Sequence, residues 1–121
     1  MERPTPVSDT ERTWAAVAHL APLVGYFVLV GQILLPLAIF LWGPKTPFVQ
    51  DHAKEALNGQ ISYTLYGLAL FLLAITVVGV FIAVPLGLAL VAVALWNMIQ
   101  GALAAGRGEV YRYVLILRLV P

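Results

Sequence analysis

The chain has 121 residues, 61% of them hydrophobic and 11% charged, with a net charge of +1 and no cysteine. Soluble domains are about 25% charged, so a mean hydropathy of +0.91 describes a chain with too little polar surface to cover itself in water. The missing cysteines exclude disulfides and Cys-ligated metals, and the near-balanced charge offers no basic patch for nucleic acid.

The charges form three islands: Glu2, Arg3, Asp9, Glu11 and Arg12; then Lys45, Asp51, Lys54 and Glu55; then Arg107, Glu109, Arg112 and Arg118. Between them lie two charge-free stretches, 13–44 and 56–106. Long uncharged apolar runs read as membrane helices, because one Lys, Arg or Asp at a helix centre costs about 2.5–3.5 kcal/mol on insertion scales. The fold expected is all-α, an integral membrane bundle of four hydrophobic helical segments (11–106), between a flexible N-terminal tail (1–10) and an interfacial C-terminal segment (107–121).

The N-terminal tail carries Pro4, Pro6, Ser8 and Thr10, which places a helix start near Asp9–Arg12. No secretory signal is apparent, since acids precede the apolar run and the run exceeds a normal signal core. As a single helix 13–44 would reach roughly 48 Å, too long for a hydrocarbon core of about 30 Å. As two it gives short helices, with the turn within Gly25-Tyr26-Phe27-Val28-Leu29-Val30-Gly31-Gln32 and Pro36 opening the return. Such a short pair is either a re-entrant hairpin or a local thinning of the bilayer. Trp14 and Trp42 flank it at the charged end, where amphipathic rings anchor to headgroups.

The stretch 56–106 would reach roughly 76 Å as one helix. It must turn, and Thr76-Val77-Val78-Gly79 before Pro85 is the place, giving helices near Ala56–Thr76 and Ile82–Ala105. With four segments all seven Lys and Arg fall on one side, whereas three would split them. The positive-inside rule therefore puts both termini in the cytoplasm of a multi-pass protein in a prokaryotic cell membrane.

Polar side chains within lipid need partners. His19, Asn58, Gln60, Ser62, Asn97 and Gln100 are the intramembrane candidates, with Gln32 and Thr64 beside them. Asp51, Glu55, Asn58 and Ser62 recur at spacings of four, three and four, so they share one helix face. That face either points into the bundle or dresses the interface with snorkelling groups. His19 is placed to donate to Asn58 or Asn97; a proton relay is the sharper alternative. His52 and Glu55 have a metal-compatible spacing, but two ligands do not make a site. Asp51 and Glu55 are expected to pair with Lys54 or nearby basic groups. Small residues at Ala83/Gly87 and Gly101/Ala105 suit helix packing. The segment Val110–Val120 is too short and too basic to be a fifth span. Extended, it would put Tyr111, Tyr113, Leu115, Leu117 and Leu119 on one face and lie on the membrane surface or pair with another chain.

Glu11-Arg12-Thr13-Trp14 with Ala18-His19-Leu20, Pro47-Phe48-Val49 through His52-Ala53-Lys54-Glu55-Ala56-Leu57-Asn58 to Gln60-Ile61-Ser62, and Gly108-Glu109-x-Tyr111-Arg112-Tyr113 together resemble a bacterial and archaeal family of small four-helix membrane proteins of unknown function. That family is described as similar to the twenty-kilodalton Tic subunit of the chloroplast inner-envelope protein import machinery. The family's acid-rich junction reads Gln50-Asp51-His52 here, and Gly59 stands where a larger residue often follows the Asn. The resemblance implies Asp51, His52, Lys54, Glu55, Tyr111, Arg112 and Tyr113 as an interfacial motif, and no catalytic residue. The function expected is an assembling or translocation-related bundle, with lipid as its first partner and a second copy or other membrane proteins as further ones. An oligomeric channel or small transporter is the alternative. An enzyme ranks last, for want of an activated nucleophile, metal cage or cofactor cradle.

Overall fold

The computed structural model describes residues 6–27 and 30–121; Glu2, Arg3, Pro4, Val28 and Leu29 lie outside them. Four helices follow one another: α1 (Asp9–Gly25), α2 (Gly31–Trp42), α3 (Pro47–Ala74) and α4 (Val80–Gly106). There is no strand among the described residues.

Local chemistry sets each end. Ser8 caps α1 in a capping box, its Oγ accepting from Glu11 N (3.1 Å) while Glu11 Oε1 accepts from Ser8 N (3.2 Å). Thr46 caps α3, with Pro47 in the first helical turn. Lys45 Nζ donates to the last α2 carbonyls, at Phe40 and Leu41. The α3–α4 turn falls at 75–79 as expected: Thr76 Oγ1 donates to Leu73 O and accepts from Gly79 N. A Cβ on Gly79 would lie 2.1 Å from Leu73 O, so only glycine closes this turn. The α1–α2 connection also lies where the sequence puts it, and Val30, in the left-handed region at φ 52°, leads into α2 at a position that more often holds glycine. Gly25 and Gly31 instead let the two helix backbones touch, for a Cβ on Gly25 would stand 2.3 Å from Gly31 C.

α1 and α3 each touch all three other helices, while α2 and α4 do not meet. The buried apolar core is built mainly of small residues, such as Ala15, Ala18, Ala53, Ala56, Ala94, Ala104 and Ala105. The large apolar side chains, among them Phe71, Phe81, Leu88 and Trp96, face outward. A water-soluble bundle is arranged the other way round; small residues inside and bulky apolar ones outside is how helices pack in lipid. α3 and α4 are long and apolar enough to cross a membrane, at roughly 42 and 40 Å.

The first pair is shorter. Tyr26, just past the end of α1, donates to Gln60 Oε1 at 2.6 Å, and Gln60 lies halfway along α3. The α1–α2 hairpin therefore turns back level with the middle of α3. An apolar cavity of about 480 Å³ sits at this depth, lined by Leu23, Tyr26, Gln32, Tyr63, Thr64, Gly67 and Met98 among others. Trp14 and Trp42 are both exposed at the charged end of the pair.

Beyond α4 the chain neither forms a helix nor lies free on the surface. Arg107, Gly108 and Glu109 make a Schellman turn: Glu109 N donates to Ala104 O (2.9 Å) and Gly108 N to Ala105 O (3.1 Å), with Gly108 at φ 76°. The remaining residues run inward along α3 as far as Tyr66, whose hydroxyl donates to Leu115 O (2.9 Å), then return to Asn58 at Val120. Leu115, at φ 60°, forms the inner bend. The expected single face is broken there: Tyr113 is buried and Ile116 packs inward, whereas Leu115, Leu117 and Leu119 point out. The segment is a re-entrant strap docked on the bundle.

Candidate functional site: a polar seam that holds the C-terminal strap

The face shared by Asp51, Glu55, Asn58 and Ser62 points into the molecule, and what it meets is the strap backbone. Asn58 Nδ2 donates to Val120 O (3.0 Å) while its Oδ1 accepts from Val120 N (2.7 Å). Ser62 Oγ accepts from Leu117 N (2.7 Å) and lies 3.0 Å from Leu117 O. From α4, Asn97 Oδ1 accepts from Val114 N (3.0 Å) and its Nδ2 donates to Val114 O (3.0 Å) and to Tyr63 Oη (2.7 Å). Residues 114, 117 and 120 are thus each held at both backbone groups by one side chain. An Asn amide carries the same donor and acceptor pair as a peptide, so it replaces the neighbouring strand that an extended segment otherwise needs. Irregular backbone survives at membrane depth only under this kind of protection.

Charge closes the seam toward the surface. Glu55, almost fully buried, accepts at Oε2 from Tyr113 N (2.6 Å) and Arg118 Nη2 (2.7 Å), and Arg118 also donates to Tyr113 O (3.0 Å). One arginine thereby ties the ingoing and returning arms together. Arg112 binds Asp51 bidentately, both bonds at 2.8 Å; the hydrogen-bonded carboxylate holds its guanidinium above the usual arginine value. Of the two partners expected, basic groups other than Lys54 are the ones used: Asp51 and Glu55 bond the arginines of the strap, while Lys54 sits half-buried on the same helix. The Arg112 side chain is half exposed, so Arg112→Gln is expected to cost under about 1 kcal/mol, and less in high salt, by thermal melts in detergent.

A second row of contacts crosses the seam. His52 Nε2 meets Glu109 O (2.8 Å), His52 Nδ1 meets His19 Nε2 (2.7 Å), and His19 Nδ1 meets Tyr113 Oη (2.5 Å). His19 thus bonds His52 and Tyr113 rather than the expected Asn58 or Asn97. Two glycines make room. A Cβ on Gly101 would stand 2.5 Å from His19 Nδ1, and one on Gly59 would stand 2.5 Å from the Tyr113 ring. Gly101 therefore seats a ring within the chain. Gly59, which departs from the resembled pattern, seats another.

Of the remaining candidates, Gln60 accepts from Tyr26, its Nε2 having no partner among the described residues. Tyr111 packs against Tyr113 in the same cluster. Gln100 stays half-buried outside the seam. His52 and Glu55 point to different partners, and no group of three or more His, Cys, Asp or Glu among the described residues is placed to hold a metal. The sequence reading missed Tyr63, Tyr66 and Arg118. Arg118 carried a signal, since a buried carboxylate on the shared face needs a counter-charge.

Helices with lipid-like packing and an internally fastened C-terminus define a small membrane-bundle protein. The chain belongs to the magnetosome magnetite crystal formation protein family (MamF/MmsF), whose model matches residues 10–120. The match supports the expected small membrane-protein family; it gives no support to similarity with the Tic subunit or to protein translocation. No curated protein and no solved structure matches the chain.

Proposed function

We propose that this chain is a multi-pass protein of the magnetosome membrane that acts in magnetite crystal formation as an assembling bundle, with both termini in the cytoplasm. The observation that carries the reading is the family match over residues 10–120. On that support the proposal takes the magnetosome membrane in place of the cell membrane expected from the sequence. The bundle is preferred to a channel because the polar groups that would line a path are engaged elsewhere. His19, Asn58, Ser62 and Asn97 all bind the strap or its neighbours, and the cavity at mid-depth is walled mainly by apolar side chains. The surface left for assembly is the apolar exterior of α3 and α4. An enzymatic role is not part of the proposal.

The test is a magnetite-forming cell deleted for its own family member and complemented with this chain. Electron microscopy is expected to show altered crystal size that the chain restores, with the tagged protein in purified magnetosome membranes. Unaltered crystals, or a protein excluded from that membrane, would contradict the proposal. Single cysteines check the arrangement. Asp9→Cys, fully exposed at the charged end, is expected to label from the cytoplasmic side and Val77→Cys only from the opposite side. Val30→Cys, at the tip of the short hairpin, is expected to react from neither. Labelling of Val30→Cys from the side opposite to Asp9→Cys would show that the first pair spans.

A further inference from the structure

The row of contacts from Tyr113 to Glu109 has a direction. A carbonyl oxygen only accepts, so His52 Nε2, 2.8 Å from Glu109 O, carries a hydrogen. With both rings neutral, His52 Nδ1 is then an acceptor, and the 2.7 Å contact requires His19 Nε2–H to donate to it. His19 Nδ1 is left as an acceptor, and the Tyr113 hydroxyl donates to it across 2.5 Å. Three hydrogens serve three bonds, all pointing from the strap toward the surface.

A single added proton spoils this order wherever it enters. If His19 becomes the cation, its Nδ1–H confronts the Tyr113 oxygen. If His52 does, His19 Nε2 must accept and its hydrogen moves to Nδ1, with the same result. Either way the Tyr113 O–H turns out of the row, inside a site where Tyr113 is 3% exposed and His19 0%. A second proton sets N–H against N–H between the two rings. The charged groups facing the row are already engaged. Asp51 and Glu55 on α3 are bonded by Arg112 and Arg118 of the strap, and Glu109 pairs with Arg107. α4 presents Gly101 and Asn97, α1 has no other titratable residue between Trp14 and Gly25, and the rings of Tyr63 and Tyr111 lie against that of Tyr113.

We infer that the His19–His52 pair is a proton-operated latch for the C-terminal strap: docked while both imidazoles are neutral, released when the pair takes up a proton. Release opens the pair to water and lets the rings re-pair, so the histidines take up a proton closer to the ordinary imidazole value of about 6.5. The undocked form therefore binds more protons, so docking is fully present above that value and weakens as pH falls. One linked proton changes the docking equilibrium by up to about tenfold per pH unit.

The chain has no cysteine, so one spin label at Leu119→Cys reports the strap, and one at Leu88→Cys on α4 reports the bundle. In nanodiscs taken from about pH 7.5 to about pH 5, the mobile fraction at 119 is expected to rise by tenfold or more while the label at 88 stays unchanged. The double variant His19→Gln with His52→Gln keeps donors and acceptors along the row with no titrating ring, and is expected to stay docked throughout. Tyr113→Phe removes the donor that neutral His19 Nδ1 accepts from, which weakens docking before any proton is added, and is expected to move the midpoint to higher pH. A label at 119 that ignores pH in the otherwise native chain would overturn the latch. So would the double Gln variant and Tyr113→Phe titrating alike, or both labels loosening together.

Discussion

Asn97→Leu is expected to lower the stability of the folded bundle by about 2–4 kcal/mol and to free the strap. The substitution looks favourable for lipid, since Leu inserts more readily than a polar residue, and an interhelical side-chain bond averages only about 0.6 kcal/mol. Those terms lose to another. Asn97 holds both backbone groups of Val114 as well as Tyr63 Oη, and each buried group left unpaired costs about 1–3 kcal/mol. Thermal unfolding in detergent measures the loss, and susceptibility of the C-terminal segment to protease reports the release. Asn58→Leu follows the same logic at Val120. Because that side chain fastens its own chain, the expected result is a loosened strap and not a change of oligomeric state.

Gly101→Ala is the second large effect. Ala gains about 0.5–1 kcal/mol over Gly in a helix interior, so on propensity alone α4 should be stabilised. The added methyl would lie 2.5–2.9 Å from three atoms of the His19 ring, and overpacking a closed site costs about 1–3 kcal/mol. Displacing the ring also unpairs Tyr113 and His52, at about 1–3 kcal/mol for each buried group stranded. The net expectation is a loss of about 2–4 kcal/mol. Gly87→Ala, where the new methyl meets nothing within 4 Å, is the control that should leave the melting temperature unchanged or slightly raised.

The parts of this fold that were legible in the sequence rest on local signals. Pro6 and Ser8 before Asp9–Arg12, and Thr76 to Gly79 before Pro85, announce helix ends by their own backbone and hydrogen-bonding chemistry. The shared face of Asp51, Glu55, Asn58 and Ser62 follows from helical spacing alone. What that face binds was not legible, because its partner lies some 60 residues away and is backbone, which has no sequence signature. The extended reading of 110–120 stalled on a related point. An unpaired strand leaves its amides unsatisfied, and nothing local reveals that Asn side chains supply the missing partner. The Gly101/Ala105 pair was legible as a helix contact, and α4 does pack on α1 there; what spacing does not say is that a buried imidazole of that helix fills the room at Gly101. His19 was assigned to amide partners because the second ring of its row, His52, reads in sequence as an interfacial residue.

The central claim is that residues 114, 117 and 120 are fastened at mid-depth by side chains of α3 and α4. Amide hydrogen exchange, read residue by residue by NMR in lipid nanodiscs at neutral pH, tests it most directly. Val114, Leu117 and Val120 are expected to exchange at least about a hundredfold more slowly than in an unstructured chain, as buried bonded amides do; exchange of these three at the unstructured rate would contradict it.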